Sequence, residues 1–265
     1  MTAYELRKQS LLITSKGTNN EYISQMSFSK FREAAKALSL QHCFLEVSGT
    51  NAVGMVFTSP NNTDKLLAMY KGDSHNWVIS ESDVCSEYLL VDAYELNGGS
   101  ISDSIDRLIT SQRYKTVFGL GNSSILQGKL LNQIISYLKK GLIYCLAGNK
   151  DEIESLSGGM NIMNFISNEY MKHIPYILIT LGEQGMVGSF HGRTYFQNAK
   201  KTGNIVSTSG CGDISLGIFL SGIVNNEDPV QIMEKAAYYA STILKRQSNI
   251  CLILNKVDSN SQQSW

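Results

Sequence analysis

Short apolar runs of strand type alternate with longer helix-type patterns along this chain, and no other feature limits its fold so tightly. The strand candidates are Leu11–Thr14, Tyr88–Val91, Thr116–Phe118, Leu142–Cys145 and Tyr176–Thr180. Between them, apolar residues recur at helical spacing from Phe28 to Leu38, from Ser102 to Ser111, from Ile125 to Lys139 and from Asp151 through Glu154 onward. Such alternation predicts repeated βαβ units and an α/β fold with a parallel sheet.

One stretch breaks the alternation. Asn51–Thr58 and Lys65–Tyr70 flank Ser59-Pro-Asn-Asn-Thr-Asp64, a cluster of turn formers, which predicts a β-hairpin. Such an insertion serves either as a flap beside a site or as an ordinary edge ribbon, and position alone does not decide between them. Two more helices are expected over Ile214–Val224 and Pro229–Lys245, followed by the polar tail Asp258-Ser-Asn-Ser-Gln-Gln-Ser-Trp265. A length of 265 residues suits one large domain spanning 1–265, with 49–72 as a candidate lid hairpin and 256–265 as a polar tail.

Charge and cysteine usage narrow the partners. Lysines plus arginines number 23 and so do aspartates plus glutamates, with no long block of one sign, which disfavours a nucleic-acid or membrane-surface partner. Cys43, Cys85, Cys145, Cys211 and Cys251 are odd in number and never form a CxxC pair, which speaks against a disulfide framework or a zinc site and for a cytoplasmic protein. No apolar run reaches membrane-spanning length. His42, His75, His173 and His191 stand in unrelated contexts and are read as surface or satisfied core residues, and Trp77 and the tyrosines as packing residues.

Chemistry concentrates in Val206-Ser-Thr-Ser-Gly-Cys-Gly-Asp213, where small polar residues and two glycines run directly into a helix-type segment. Free backbone N–H groups and the positive end of a helix dipole then meet at one spot, which suits a phosphate. An aspartate in the first helical turn would stand beside that anion and could accept a hydroxyl proton as the hydroxyl attacks phosphorus. The plainer alternative is a tight strand-to-helix turn with Asp213 as a cap.

The same segment resembles the second signature of the ribokinase-like, or phosphofructokinase B, kinases, commonly written Asp-Thr-Thr-Gly-Ala-Gly-Asp. The resemblance implies an anion hole at Gly210, Cys211 and Gly212 and a catalytic base at Asp213. It continues ungapped through Gly217–Val224 to Tyr239–Ser248, where it is similar to the adenosine kinase branch. Asn149-Lys-Asp-Glu152 resembles the family's Asn-x-x-Glu motif, which organises magnesium and phosphate through water; the same residues also fit a helix N-cap and capping box. Thr180-Leu-Gly-Glu-Gln-Gly185 resembles a turn that approaches the nucleotide through Thr180, Gly182 and Gly185, and also reads as a glycine-bearing hairpin before Met186–Phe190. The segments Gly49–Pro60 and Tyr88–Tyr94 are similar to those preceding the family's central strands.

Departures accompany the match. The family's first strand with its substrate-binding aspartate and its Gly-Gly signature have no counterpart before Leu11, so the chain reads as amino-terminally shortened. Gly98-Gly99 follows the wrong segment and is read as a loop. Ser207 replaces an aspartate associated with a monovalent-cation site, which argues against potassium activation. Cys211 replaces alanine, a change expected to be tolerated because the backbone N–H does the binding. The resemblance therefore implies a three-layer αβα fold with a mostly parallel sheet and a partial hairpin lid, and an ATP- and magnesium-dependent kinase acting on a hydroxyl of a sugar or nucleoside, adenosine first. A homodimer stays open. The rival readings are a catalytically degenerate relative that binds nucleotide or a partner, and an unrelated nucleotide-binding α/β protein.

Overall fold

The structure is a computed structural model that describes residues 11–17, 33, 36, 41–47, 49–50, 53–58, 65–70, 72–203, 205 and 208–244. The chain divides into two compact units, Met1–Ser74 with Lys200–Ser221 and Tyr238–Trp265, and His75–Ala199 with Gly222–Ala237. Most of the expected helix at Phe28–Leu38, the turn at 59–64, Ser207 and the polar tail lie outside the described residues.

In the first unit, β1 (Leu11–Gly17) pairs in parallel with β2 (Gln41–Val47), from Leu11 opposite Gln41 to Gly17 opposite Val47. The expected hairpin forms: β3 (Val53–Thr58) pairs antiparallel with β4 (Lys65–Tyr70). Its base is tied at both ends. Thr50 N donates to Asp73 Oδ2 at 2.8 Å, and Asp73 N donates to the Thr50 carbonyl at 3.0 Å.

The second unit carries a six-stranded sheet ordered β10-β9-β8-β7-β6-β5. Its strands are β5 (Tyr88–Asp92), β6 (Lys115–Gly119), β7 (Cys145–Asn149), β8 (Tyr176–Thr180), β9 (Met186–Phe190) and β10 (Arg193–Gln197). The first four run parallel, and β9 and β10 close the edge as an antiparallel ribbon. Between parallel neighbours the chain crosses back through α1 (Gly99–Thr110), α2 (Gly128–Lys139) and α3 (Lys150–Ser157), and α4 (Ile162–Ile166) follows α3. Antiparallel hairpins need only a few linking residues, whereas parallel strands need these long returns.

Burial follows from those returns. α1 buries Ile101, Ser104, Ile105, Leu108 and Ile109, one stripe at helical spacing. The central strands are covered so fully that Val117, Phe118, Cys145, Leu146, Ile177, Leu178 and Ile179 are all buried, as in a parallel sheet with both faces packed. Among the described residues no helix is long and apolar enough to cross a membrane.

Two sequence expectations need correction here. The strand expected at Leu142–Cys145 begins at Cys145, because the N–H groups of Gly141 and Leu142 cap α2, donating to the carbonyls of Leu138 and Tyr137. Ile143 is still buried, so its apolar character reports the core and not the sheet ladder. Gly98-Gly99 is not simply a loop: Gly99 opens α1, and a Cβ there would stand 2.2 Å from the His75 carbonyl oxygen. The strands β2 and β10 were not foreseen.

Candidate active site

Helix α5 (Cys211–Val224) starts where Gly210 turns into it with φ 82°, a left-handed conformation that glycine adopts without strain. The first i→i−4 bond is made by Ile214 N to the Gly210 carbonyl at 2.9 Å. The amides of Gly212 and Asp213 precede that bond and point toward the positive end of the helix. Nothing lies within 4 Å of where a Cβ on Gly212 would stand, and Gly212 and Asp213 are both exposed. Ser215 Oγ bonds the Cys211 carbonyl at 2.8 Å, the half-buried Cys211 thiol lies 3.9 Å from the carbonyl of Ala240 in the helix Pro229–Leu244, and Cys211 N donates to the Thr208 carbonyl at 3.4 Å. An exposed carboxylate in the first turn beside open amides can bind an anion and take a proton next to it.

In the other unit, the carboxyl ends of the parallel strands gather a second group. Asn149 caps α3 by accepting from Glu152 N at 2.9 Å, and Glu152 answers with Oε2 on Asn149 N at 2.9 Å and Oε1 on the Asn149 amide at 2.7 Å. This reciprocal box leaves Glu152 only 7% exposed. Burial raises its carboxyl above the usual range, opposed by the Asn149 bonds. Thr180 stands directly beside Asn149 across the β7–β8 ladder. The chain then makes the β8–β9 hairpin, closed by Leu181 N on the Gly185 carbonyl at 2.8 Å. Gly182 is exposed, while a Cβ at Gly185 would stand 2.0 Å from the Gln197 carbonyl oxygen. Asn149, Glu152, Thr180 and Gly182 thus share one sheet edge, the place where open α/β sheets bind ligands.

A third set of groups at this edge was not anticipated. Asp92 ends β5 and accepts from Tyr94 N at 2.7 Å, and its own N–H donates to Glu95 Oε2 at 2.9 Å. Burial, and next the Asp92 charge, push the Glu95 carboxyl up to about 8. The Asp92 charge also acts on Glu152. The signal available in the sequence was an aspartate directly after the apolar run of β5.

Among the described residues no group of three or more His, Cys, Asp or Glu is arranged to hold a metal ion. His173 and His191 are exposed, and His191 Nε2 meets Tyr176 Oη at 2.9 Å. A hard divalent cation that keeps most of its waters and shares phosphate oxygens needs no such cage, and the oxygen donors of Asn149 and Glu152 suit it.

A sequence model of the pfkB family carbohydrate kinases matches residues 27–253 and so takes in all three motifs. The chain belongs to this family. The "Putative 1-phosphofructokinase" of Mycoplasma pneumoniae is 27% identical over 136 residues, 49% of this chain, and the chain spans only 43% of that protein's length. Adenosine kinase from Sinorhizobium meliloti superposes with a TM-score of 0.83 at 14% identity, over 98% of this chain and 81% of that one. Ribokinase from Cryptococcus neoformans in complex with ADP gives 0.73 at 16% identity, over 98% and 86%. The fold is ribokinase-like, which excludes an unrelated nucleotide-binding architecture.

Proposed function

We propose that this pfkB family member transfers a phosphoryl group from ATP to a hydroxyl of a sugar or nucleoside, with adenosine the first acceptor to test. The observation that carries the reading is the start of α5, where the left-handed Gly210 leads into the exposed Gly212, whose amide precedes the first helical bond, beside the exposed Asp213 carboxylate. Asp213 accepts the acceptor hydroxyl proton, and the amides at Gly210, Cys211 and Gly212 bind the charge that builds on the moving phosphoryl oxygens. Thr180, Gly182 and Gly185 line the nucleotide. Asn149 and Glu152 would hold magnesium through its waters. The ion, when bound, supplies charge neutralisation on the phosphates.

The test is Asp213→Asn, assayed by ATP-coupled phosphorylation over adenosine, other nucleosides and common sugars. Loss of a general base costs about 10²- to 10⁴-fold in turnover while nucleotide affinity stays near that of the parent. Unchanged turnover removes Asp213 from the mechanism. Nucleotide binding by the parent chain with no turnover on any acceptor instead supports a degenerate binding protein.

A further inference from the structure

The loops that follow β5, β6 and β7 overlap one another at the carboxyl edge of the sheet. Asp92 Cβ lies 3.2 Å from where a Cβ on Gly119 would stand, and the Tyr94 ring comes within 3.0 Å of the same point on Gly121. Between those two glycines, Leu120 reaches the next strand. Its N–H donates to the Ala147 carbonyl at 3.0 Å, which extends the β6–β7 ladder by one step, and its side chain is wholly buried.

Leu120 ends over Gly148. A Cβ on Gly148 would meet Leu120 Cδ1 at 2.8 Å and Glu152 Oε2 at 3.1 Å. Gly148 does not take the left-handed backbone seen at many other glycines of the chain, so conformation does not demand glycine here; space does. The same Oε2 accepts from Asn149 N at 2.9 Å, so the carboxylate is folded back onto the strand end, beside the same Gly148 position that Leu120 crowds.

We infer that Leu120 and Gly148 are positioning residues for the Glu152 carboxylate: the missing Cβ of Gly148 gives Glu152 its room, and the buried Leu120 side chain stops it from turning away. The inference rests on the proposed role of Asn149 and Glu152 toward magnesium. A methyl at position 148 has two neighbours to displace. Leu120 is wholly buried whereas Glu152 keeps 7% of its surface exposed, so Glu152 yields and gives up its bond to Asn149 N. Partners that orient a metal-organising group typically change metal affinity or activity by about 10- to 100-fold when altered.

Gly148→Ala is therefore expected to weaken Mn²⁺ binding to the full chain in the presence of ADP by about 10-fold, read by electron paramagnetic resonance, with ADP affinity in the absence of metal unchanged. The double variant Gly148→Ala with Leu120→Ala vacates the space the methyl needs and restores the parent Mn²⁺ affinity, although it melts at a lower temperature. A structural role alone would make the double variant worse in both respects. Parent-like Mn²⁺ affinity in Gly148→Ala, or no recovery in the double variant, overturns the inference; if the single variant does not fold, the double variant alone decides by the same criterion. Phosphoryl transfer by the parent chain is measured in parallel. Its absence sinks the proposed kinase activity while the Mn²⁺ titration still decides the role of Leu120 and Gly148, and a parent chain that binds no Mn²⁺ with ADP sinks both.

Discussion

Thr116 shows what a single buried atom does in this core. It lies in β6 between Leu89 of β5 and the start of β7, is 1% exposed, and its hydroxyl oxygen has no hydrogen-bond partner. A hydroxyl buried without a partner has lost its water and gained nothing, which costs roughly 1–3 kcal/mol. Thr116→Val keeps the branched shape that suits a strand and replaces the hydroxyl by a methyl. It is expected to stabilise the protein by about 1 kcal/mol, seen as a higher melting temperature, and a lower one would show that the hydroxyl has a use in the fold. At the same scale, the capping box of Asn149 and Glu152 was legible because both partners sit on one turn of chain, three residues apart. The neighbourhood of Asp92, Glu95 and Glu152 was not, because only strand order brings the end of β5 near the end of β7.

Elements are joined here by a few polar links across apolar faces. Helices α1 and α2 meet through Asp106, which accepts from the Tyr137 hydroxyl and from Gln133 Nε2 at 3.0 Å, while the same Gln133 amide lies 2.7 Å from Tyr137 Oη. Tyr137 is 3% exposed, and burial, then its bond to Asp106, drives its hydroxyl pKa upward. Removing the carboxylate in Asp106→Ala leaves the buried Tyr137 O–H without the acceptor of its proton and should cost about 1–3 kcal/mol in urea unfolding. Adding Tyr137→Phe removes the stranded group and should recover much of that loss; additive losses in the double variant would refute the link. The same economy explains which elements were readable. α1 and α2 show one apolar stripe each, so periodicity found them to within a few residues. β10 is an edge strand whose Arg193, Thr194 and Phe196 are exposed, so burial wrote no alternation into it. The start of β7 was misplaced because the buried Ile143 leads into the strand while Gly141 and Leu142 just before it still close α2.

For the molecule as a whole, a pH dependence near neutrality traces to Glu95, whose carboxyl is pushed up to about 8. The chain carries no net formal charge, so no general self-repulsion masks a local effect near neutrality. In the folded protein Glu95 keeps its proton up to about pH 8, first because it is buried and second because the Asp92 carboxylate lies beside it, against an ordinary value of 4.5. The folded pKa is therefore above the unfolded one. Between 4.5 and about 8 the unfolded chain has released this proton and the folded chain still holds it, so the unfolded state binds fewer protons and stability falls as pH rises. While that imbalance is complete the slope is about 1.4 kcal/mol per pH unit, and it vanishes once the folded group ionises. Glu95→Gln keeps a side chain that can donate to Asp92 and has no proton to lose. Urea midpoints measured at intervals across this window should fall with pH in the parent and fall less steeply in Glu95→Gln, so that the variant gains on the parent toward the alkaline end. Carboxylates held low by their partners impose the opposite slope on both proteins alike, and the difference between the two curves isolates Glu95. Parallel curves would mean that Glu95 is ionised in the folded protein and that Asp92 and Glu95 share no proton.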